Sequence, residues 1–379
     1  MRPNTAFVFA VLLAATTVPG QVTRQTQPSN TTENLRGVSA VSPQVAWASG
    51  THGIFLRTTD GGRTWISGHV PDAAAVDFRG VVAFSADEAF LMSSGPGDQS
   101  RIYHTSDAGQ HWHLEFSNPN PKGFFDSIAF WDRTHGIVLG DPIPDESGQL
   151  KFQLLMTADG QSWTPVPTAQ LPPALEGEGA FAASNSCLSI LSNDPNIAND
   201  HNIADDPNIW FATGGKVARV FHSPDRGGTW QVFDTPILHG TDSAGIFSIA
   251  FRDPLHAVIA GGDYKHPEQD GPDLAFTSDG GKTWALSKIF PQSYYSAVAY
   301  DRRSLSLSLR ASSASLDDNQ AHIRLFIVSG KSVYDFRPPN NPTRISPPKK
   351  SGLQFNAASP YPTGGVLLVG PHGSIATIP

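Results

Sequence analysis

The sequence predicts an all-β chain folded as a seven-bladed β-propeller of four-stranded antiparallel blades, on three observations. An eight-residue phrase recurs as TTDGGRTW at 58–65, TSDAGQHW at 105–112, SPDRGGTW at 223–230 and TSDGGKTW at 277–284, with a shortened TADGQSW at 157–163. Its aspartates, Asp60, Asp107, Asp159, Asp225 and Asp279, fall about 47 to 66 residues apart, the span of one blade plus variable loops. The composition, with 35 Gly, 31 Pro and 22 Phe in 379 residues, suits many short strands joined by turns, and no stretch carries a long helical period.

Upstream of each phrase the order repeats: an apolar strand, a turn, a second apolar strand ending in Gly, and a short third strand. In the fifth copy these are GIFSIAF (245–251), HAVIAGG (256–262) and the strand opening DLAFTSDGGKTWAL (273–286). The fourth copy reads EGAFAAS (178–184), a long insertion, then NIWFATGG (208–215). Two further copies, beginning YYSAVAY (294–300) and LQFNAAS (353–359), keep the strands and lack the phrase. Seven repeats result; six is the alternative count, because the copies without the phrase carry the weakest pattern. The last copy stops after three strands, so its fourth would come from the segment before Leu35, closing the ring and leaving no open edge.

The phrase is a turn between a blade's third and fourth strands. Its Asp can accept backbone N–H groups a few residues on, and Gly62, Gly109, Gly228 and Gly281 are expected to supply positive φ. The first Thr or Ser bonds locally, and the closing Trp buries its ring beside a neighbouring blade, which contributes about 1.5–3 kcal/mol. Five equivalent aspartates spread round a ring cannot converge on one substrate, so they read as turn-holders rather than acids or calcium ligands.

The pattern S/T-x-D-x-G-x-T/S-W resembles the Asp-box, or bacterial neuraminidase repeat, of sialidases, sortilin-type receptors and propellers like the photosystem II assembly and stability factor. The resemblance covers Leu35 to Pro379, with His111 standing where Thr is usual and one residue missing from the third box. The spacing and the DGG-TW boxes look most like the assembly-factor propellers, which implies a non-catalytic surface that binds a protein or helps a complex assemble. Sialidases carry an Arg-Ile-Pro motif before the first box, an arginine triad and a Tyr/Glu pair; this sequence has Leu35-Arg36-Gly37 there. A sialidase-like glycoside hydrolase is therefore the alternative, since one scaffold serves both kinds of protein.

In an up-and-down blade the start of strand one and the end of strand two share the face opposite the box turn, and a central site belongs there. Aligned first strands put Arg36, Arg79, Asp126, Gly179, Phe247, Tyr295 and Phe355 in one column, with Phe78, Phe125, Glu178 and Tyr294 just before it. Loops after strand two add His52, Asp141, Lys216, Asp263, Tyr264, Lys265, His266, Lys331 and His372. As a hydrolase, the chain would use Glu178 with Asp126 or Asp141 as acid and base or nucleophile, with Tyr295 alongside. As a binder, it would hold a protein or glycan ligand through Arg36, Arg79, Asp141, Tyr294, Asp263, Lys265 and His266, the two arginines taking an anionic group. A third possibility is that the channel charges pair with one another, because buried charges need partners. GDP at 140–142 and GGDYKH at 261–266 read as related loops with Asp after a strand-ending Gly, either functional or turn-forming.

A net charge of −8 and pI near 5.9 argue against a nucleic-acid surface. The start, MRPNTAFVFAVLLAATTVPGQ, reads as a secretory leader over residues 1–20, its apolar run too short to span a bilayer. An exported chain, periplasmic or extracellular, is expected, with an N-terminal segment at 21–34 and one propeller at 35–379. It is expected to be monomeric, without a membrane span after leader removal. The single Cys187 allows no intrachain disulfide and no Cys-rich zinc site, and reads as a small buried hydrophobe. No cofactor motif is visible, and no bound metal is expected. The insertion at 192–208 carries Asp194, Asp200, Asp205 and Asp206 among asparagines; it fits no EF-hand order and reads as a solvated loop on the box face. PPNNPTRISPPKK at 338–350 reads as an extended tether.

Overall fold

The computed structural model describes residues 24–191, 206–287, 294–302, 323–330, 332–337, 343–345 and 354–379. The expected leader, most of the Asp/Asn-rich insertion, Lys331 and most of the 338–350 tether lie outside them.

Alternating apolar strands separated by Gly- and Asp-rich turns pair with their sequence neighbours into seven antiparallel sheets. Blade 1 comprises Leu35–Ala40, Ala46–Gly50, Ile54–Thr58 and Ile66–His69. Blade 2 is Asp77–Ala83, Ala89–Ser94, Arg101–Thr105 and His113–Ser117; blade 3 is Phe125–Phe130, Gly136–Pro144, Leu150–Thr157 and Thr164–Pro165. Blade 4 is Leu188–Ile190, Ile209–Ala212, Arg219–Ser223 and Gln231–Asp234; blade 5 is Ala244–Phe251, Ala257–Asp263, Leu274–Thr277 and Ala285–Leu286. Blade 6 is Ala297–Tyr300, Leu325–Ser329, Ser332–Phe336 and Thr343–Ile345. Blade 7 joins Ala357–Pro360, Val366–Gly370 and Ser374–Ile378 to Gln25–Gln27, which pairs with the last strand in the register Thr26↔Ala376.

The core is divided as the ring requires. Among the described residues the buried apolar side chains form seven clusters, one at each boundary between neighbouring blades. The second-strand tryptophans reach across such a boundary: Trp47 Nε1–H donates to Ser85 O at 2.9 Å, and Trp210 Nε1–H to Gly280 O at 3.0 Å. Cys187 is buried in the cluster between blades 3 and 4.

The five boxes hold their turns as the sequence suggests. In the fifth, Asp279 Oδ1 accepts the Thr283 N–H at 3.0 Å and Oδ2 accepts its hydroxyl at 2.6 Å, while Thr277 Oγ1 accepts the Gly281 N–H at 3.1 Å. His111 takes the part of Thr in the second box, its Nδ1 lying 2.6 Å from Asp107 Oδ2. These bonds favour the charged carboxylate, and Asp60 and Asp107 are each held down to about 2. One expectation is corrected. In the fourth box the positive φ belongs to Arg226 and Gly227, at 56° and 89°, and not to Gly228. Aligning on Asp225 shows why: Gly227 occupies the place of Gly62, Gly109 and Gly281.

Four of the box turns dock by a backbone bond on the connection between strands one and two of their own blade, as in Gly61 N–H to Gln44 O at 3.0 Å and Gly280 N–H to Leu255 O at 3.0 Å. Arg226 N–H likewise donates to Pro207 O at 2.9 Å, which puts the described end of the blade 4 insertion on the box face. Loops after strand two therefore emerge on the other face.

Candidate functional site

The opposite face is shaped by a recurring β-bulge. The register between first and second strands shifts across Arg36, Arg79, Asp126 and Phe247 in blades 1, 2, 3 and 5, so each is the unpaired bulge residue. A bulge re-aims one side chain out of the ladder. In blades 6 and 7 the column differs from the sequence alignment by one residue. Ser296 N–H bonds to Val328 O beside the Ala297↔Val328 pair, and Asn356 N–H to Val369 O beside Ala357↔Val369. Tyr295 and Phe355 are thus one place earlier, 0% and 1% exposed, packed between blades with Leu35, Phe78 and Phe125 as their equivalents.

Blade 4 departs most from expectation. Its first strand is Leu188–Ile190, not EGAFAAS. Glu178–Gly179 pairs with Gly214–Gly215, and both short strands extend the blade 5 sheet. The following residues, 180–186, run through the middle of the ring. Ala182 O accepts Arg79 Nη1 at 3.0 Å and Arg36 Nη2 at 3.5 Å. Asn185, at φ 58°, accepts the Ile128 N–H through Oδ1 at 2.8 Å and donates through Nδ2 to Ile128 O at 3.1 Å. Ser184 Oγ donates to Ser296 O at 2.9 Å, Ser186 Oγ to Ser248 Oγ at 2.8 Å, and Phe181 stacks on Phe247 at 4.1 Å. The segment is bonded or stacked to blades 1, 2, 3, 5 and 6 before entering blade 4. The small side chains of AASNS allow this close approach; that composition was the available signal, and pattern-matching to the other copies hid it.

The hydrolase triad is not brought together in usable form. Glu178 is fully engaged: Arg219 Nε donates to Oε1 at 3.0 Å and Nη2 to Oε2 at 2.5 Å, with Thr213 Oγ1 and Leu175 N–H completing its acceptors at 2.7 and 2.8 Å. Its side chain is 0% exposed. Tyr295 is core. Asp126 is buried with neither carboxylate oxygen hydrogen-bonded among the described residues. Burial, with Asp141 close by, pushes its pKa well up, offset only in part by Arg79.

Of the binding candidates, Lys265 and His266 are exposed, Arg36, Arg79, Asp141 and Tyr294 are half-buried, and Asp263 is buried. Arg36 and Arg79 share one carbonyl, and Asp77 approaches Arg79 only to 3.9 Å. Burial and then the neighbouring Arg79 charge lower Arg36 to about 10. The two GxD-type loops do different work. Asp263 closes its own turn, accepting Lys265 N–H and His266 Nδ1 at 2.9 Å each, and is held down to about 2, its hydrogen bonds outweighing burial. Asp141 instead reaches the start of the crossing segment, accepting Ala180 N–H at 2.9 Å; burial raises it to about 6. Tyr264, exposed, and Tyr294 meet the Phe247 ring edge-on at 6.1 and 4.9 Å, and Lys265 Nζ lies 5.9 Å over Tyr264. Among the described residues no group of three or more His, Cys, Asp or Glu is placed to hold a metal ion.

Residues 21–123 match the family described as photosynthesis system II assembly factor YCF48. The chain is a seven-bladed β-propeller with Asp-box turns, similar over its first two blades to the photosystem II assembly factors. Over the whole ring it resembles a solved structure of YCF48 bound to a D1 peptide, at 14% identity and TM-score 0.57, covering 94% of each chain. The propeller of U3-55K matches at 11% identity and TM-score 0.60, covering 96% of this chain and 100% of that one. A streptogramin B lyase matches at 10% identity and TM-score 0.59, covering 94% and 97%. At these identities the likeness is one of fold, shared by proteins of different activity. No curated protein matches the sequence.

Proposed function

We propose that the chain is an exported, non-catalytic propeller that holds a segment of another protein on the face opposite its Asp boxes. One observation carries this reading: Arg36 and Arg79 converge on a single neutral carbonyl, Ala182 O, and among the described residues the one carboxylate paired with either is Asp77, 3.9 Å from Arg79 Nη2. Guanidinium groups so placed retain donors for a carboxylate, which they bind in bidentate fashion. Two findings support it further. Glu178, a carboxylate that the hydrolase reading requires, is already bound to Arg219, and the related YCF48 has been solved with a D1 peptide. Export rests on the leader-like residues 1–20.

The test is an array of acidic and neutral peptides probed with the wild-type protein, with Arg79→Ala, and with Lys282→Ala on the box face. Acidic peptides held by the wild type and by Lys282→Ala but lost by Arg79→Ala are the expected result. Binding that survives Arg79→Ala, or turnover of an aryl glycoside that Glu178→Gln abolishes, overturns the reading.

A further inference from the structure

The bulge column is polar in blades 1, 2, 3, 6 and 7 and aromatic in blade 5, where Phe247 stands. Around it three more rings gather on the arginine face. Phe181 stacks at 4.1 Å with an interplanar angle of 14°, while Tyr264 and Tyr294 stand at 81° and 90° to it. The two tyrosines come from different loops, one after strand two of blade 5 and one before strand one of blade 6. Tyr264 is 47% exposed and Tyr294 half-buried, so both rings reach the surface. This wall adjoins the cationic patch: Arg36 and Tyr294 interact electrostatically, and Lys265 caps the exposed ring of Tyr264. Aromatic faces set beside two guanidinium groups match a ligand with a ring next to a carboxylate.

We infer that Phe181, Tyr264 and Tyr294 form a subsite for an aromatic side chain adjacent to the carboxylate bound by Arg36 and Arg79, so that the partner is an acidic peptide segment with a Phe, Tyr or Trp beside its Asp or Glu. The inference rests on the peptide-binding reading above and narrows it. Charge complementarity favours this occupant: the rim carries Arg36, Arg79 and Lys265 against Asp77, a local cationic excess in a chain that is acidic as a whole. A purely apolar segment would leave the guanidinium groups unmatched, and a polyacid without a ring would leave the tyrosine faces wet.

A double-mutant cycle tests it with the full chain. Two short fluorescein-labelled peptides of Asp, Gly and Ser, one with Phe beside its Asp and one with Ala there, are titrated by fluorescence polarisation against the wild type, Tyr264→Ala and Arg79→Ala. Tyr264 is exposed, so its truncation leaves the core intact. The expected result is that replacing Phe by Ala weakens wild-type binding about tenfold or more, in the range of a buried aromatic anchor. That loss shrinks to about twofold in Tyr264→Ala, while Arg79→Ala weakens both peptides alike. Equal wild-type affinity for the two peptides overturns the aromatic subsite and leaves the cationic site standing. Failure of both peptides to bind, or binding indifferent to Arg79→Ala, overturns the peptide-binding reading and the subsite with it.

Discussion

Arg219 grips Glu178 through two nitrogens, Nε at 3.0 Å from Oε1 and Nη2 at 2.5 Å from Oε2, in a site where neither side chain is more than 10% exposed. A buried pair of this kind is costly to break from one side, because the remaining charge has neither water nor partner. Glu178→Ala is expected to destabilise the fold by about 3–5 kcal/mol, read as a lower urea midpoint with unchanged slope. Glu178→Gln keeps the acceptor facing Arg219 Nε and is expected to cost less, about 1–3 kcal/mol. Equal stability of all three proteins would refute the structural role.

Asp141 makes stability depend on pH. Its carboxyl is raised by burial from 3.8 to about 6, so between those values the folded chain binds more protons than the unfolded one. Stability is therefore greatest at the acid end of that window and falls as pH rises through about 6. A shift of this size corresponds to about 3 kcal/mol at full expression, with Asp126 acting in the same direction and coupled to it. Asp141→Asn is expected to flatten the decline between about pH 4 and pH 6.5, measured by Tm across buffers of matched ionic strength. A decline that persists unchanged would place its origin elsewhere.

Asn185 serves two needs at once: it adopts a left-handed φ of 58° and bonds both the N–H and the carbonyl of Ile128. Asn185→Gly keeps the backbone conformation and loses the bonds; Asn185→Ala loses both. The Gly variant is expected to cost about 1–3 kcal/mol and the Ala variant about 1 kcal/mol more, by chemical denaturation. The reverse order would mean that the left-handed backbone, and not the bonds, is misjudged.

Gln27 latches the ring closed, accepting Trp65 Nε1–H at 3.0 Å and donating to Gly61 O at 3.2 Å. Gln27→Ala leaves the indole donor, in a side chain 4% exposed, without its acceptor, an expected loss of about 1–2 kcal/mol. Amide hydrogen exchange should quicken in Gln25–Gln27 and Ser374–Ile378 more than in blade 4, because the disturbance is confined to the closing blade. A uniform change across all blades would argue against a local latch.

The blade count and the box turns could be read from sequence because both rest on local chemistry repeated in register: an Asx-type turn, a glycine of positive φ, and strands alternating with turns. The arginines could be read because they fall in a column set by the same repeat. What escaped is non-local or aperiodic. Tyr295 and Phe355 slipped by one place because Ser296 and Asn356 hold the column where blades 1 to 3 have Arg36, Arg79 and Asp126, so no charged residue marks it in those copies. Phe181 and Ala182 were hidden because EGAFAAS imitates a first strand while its neighbours, Gly214 and Gly215, divert it. Arg219 gave no sign of being Glu178's partner, since their 41-residue separation closes only when blade 4 folds.

The crossing of residues 180–186 also fixes how a partner can be held. A ring whose middle is occupied by its own backbone is a hub and not a conduit, so nothing needs to thread it. An internal loop of a folded protein and a free chain end are therefore equally able to lie across the arginines, and recognition is decided by what a segment shows on its surface rather than by whether it has an end to insert.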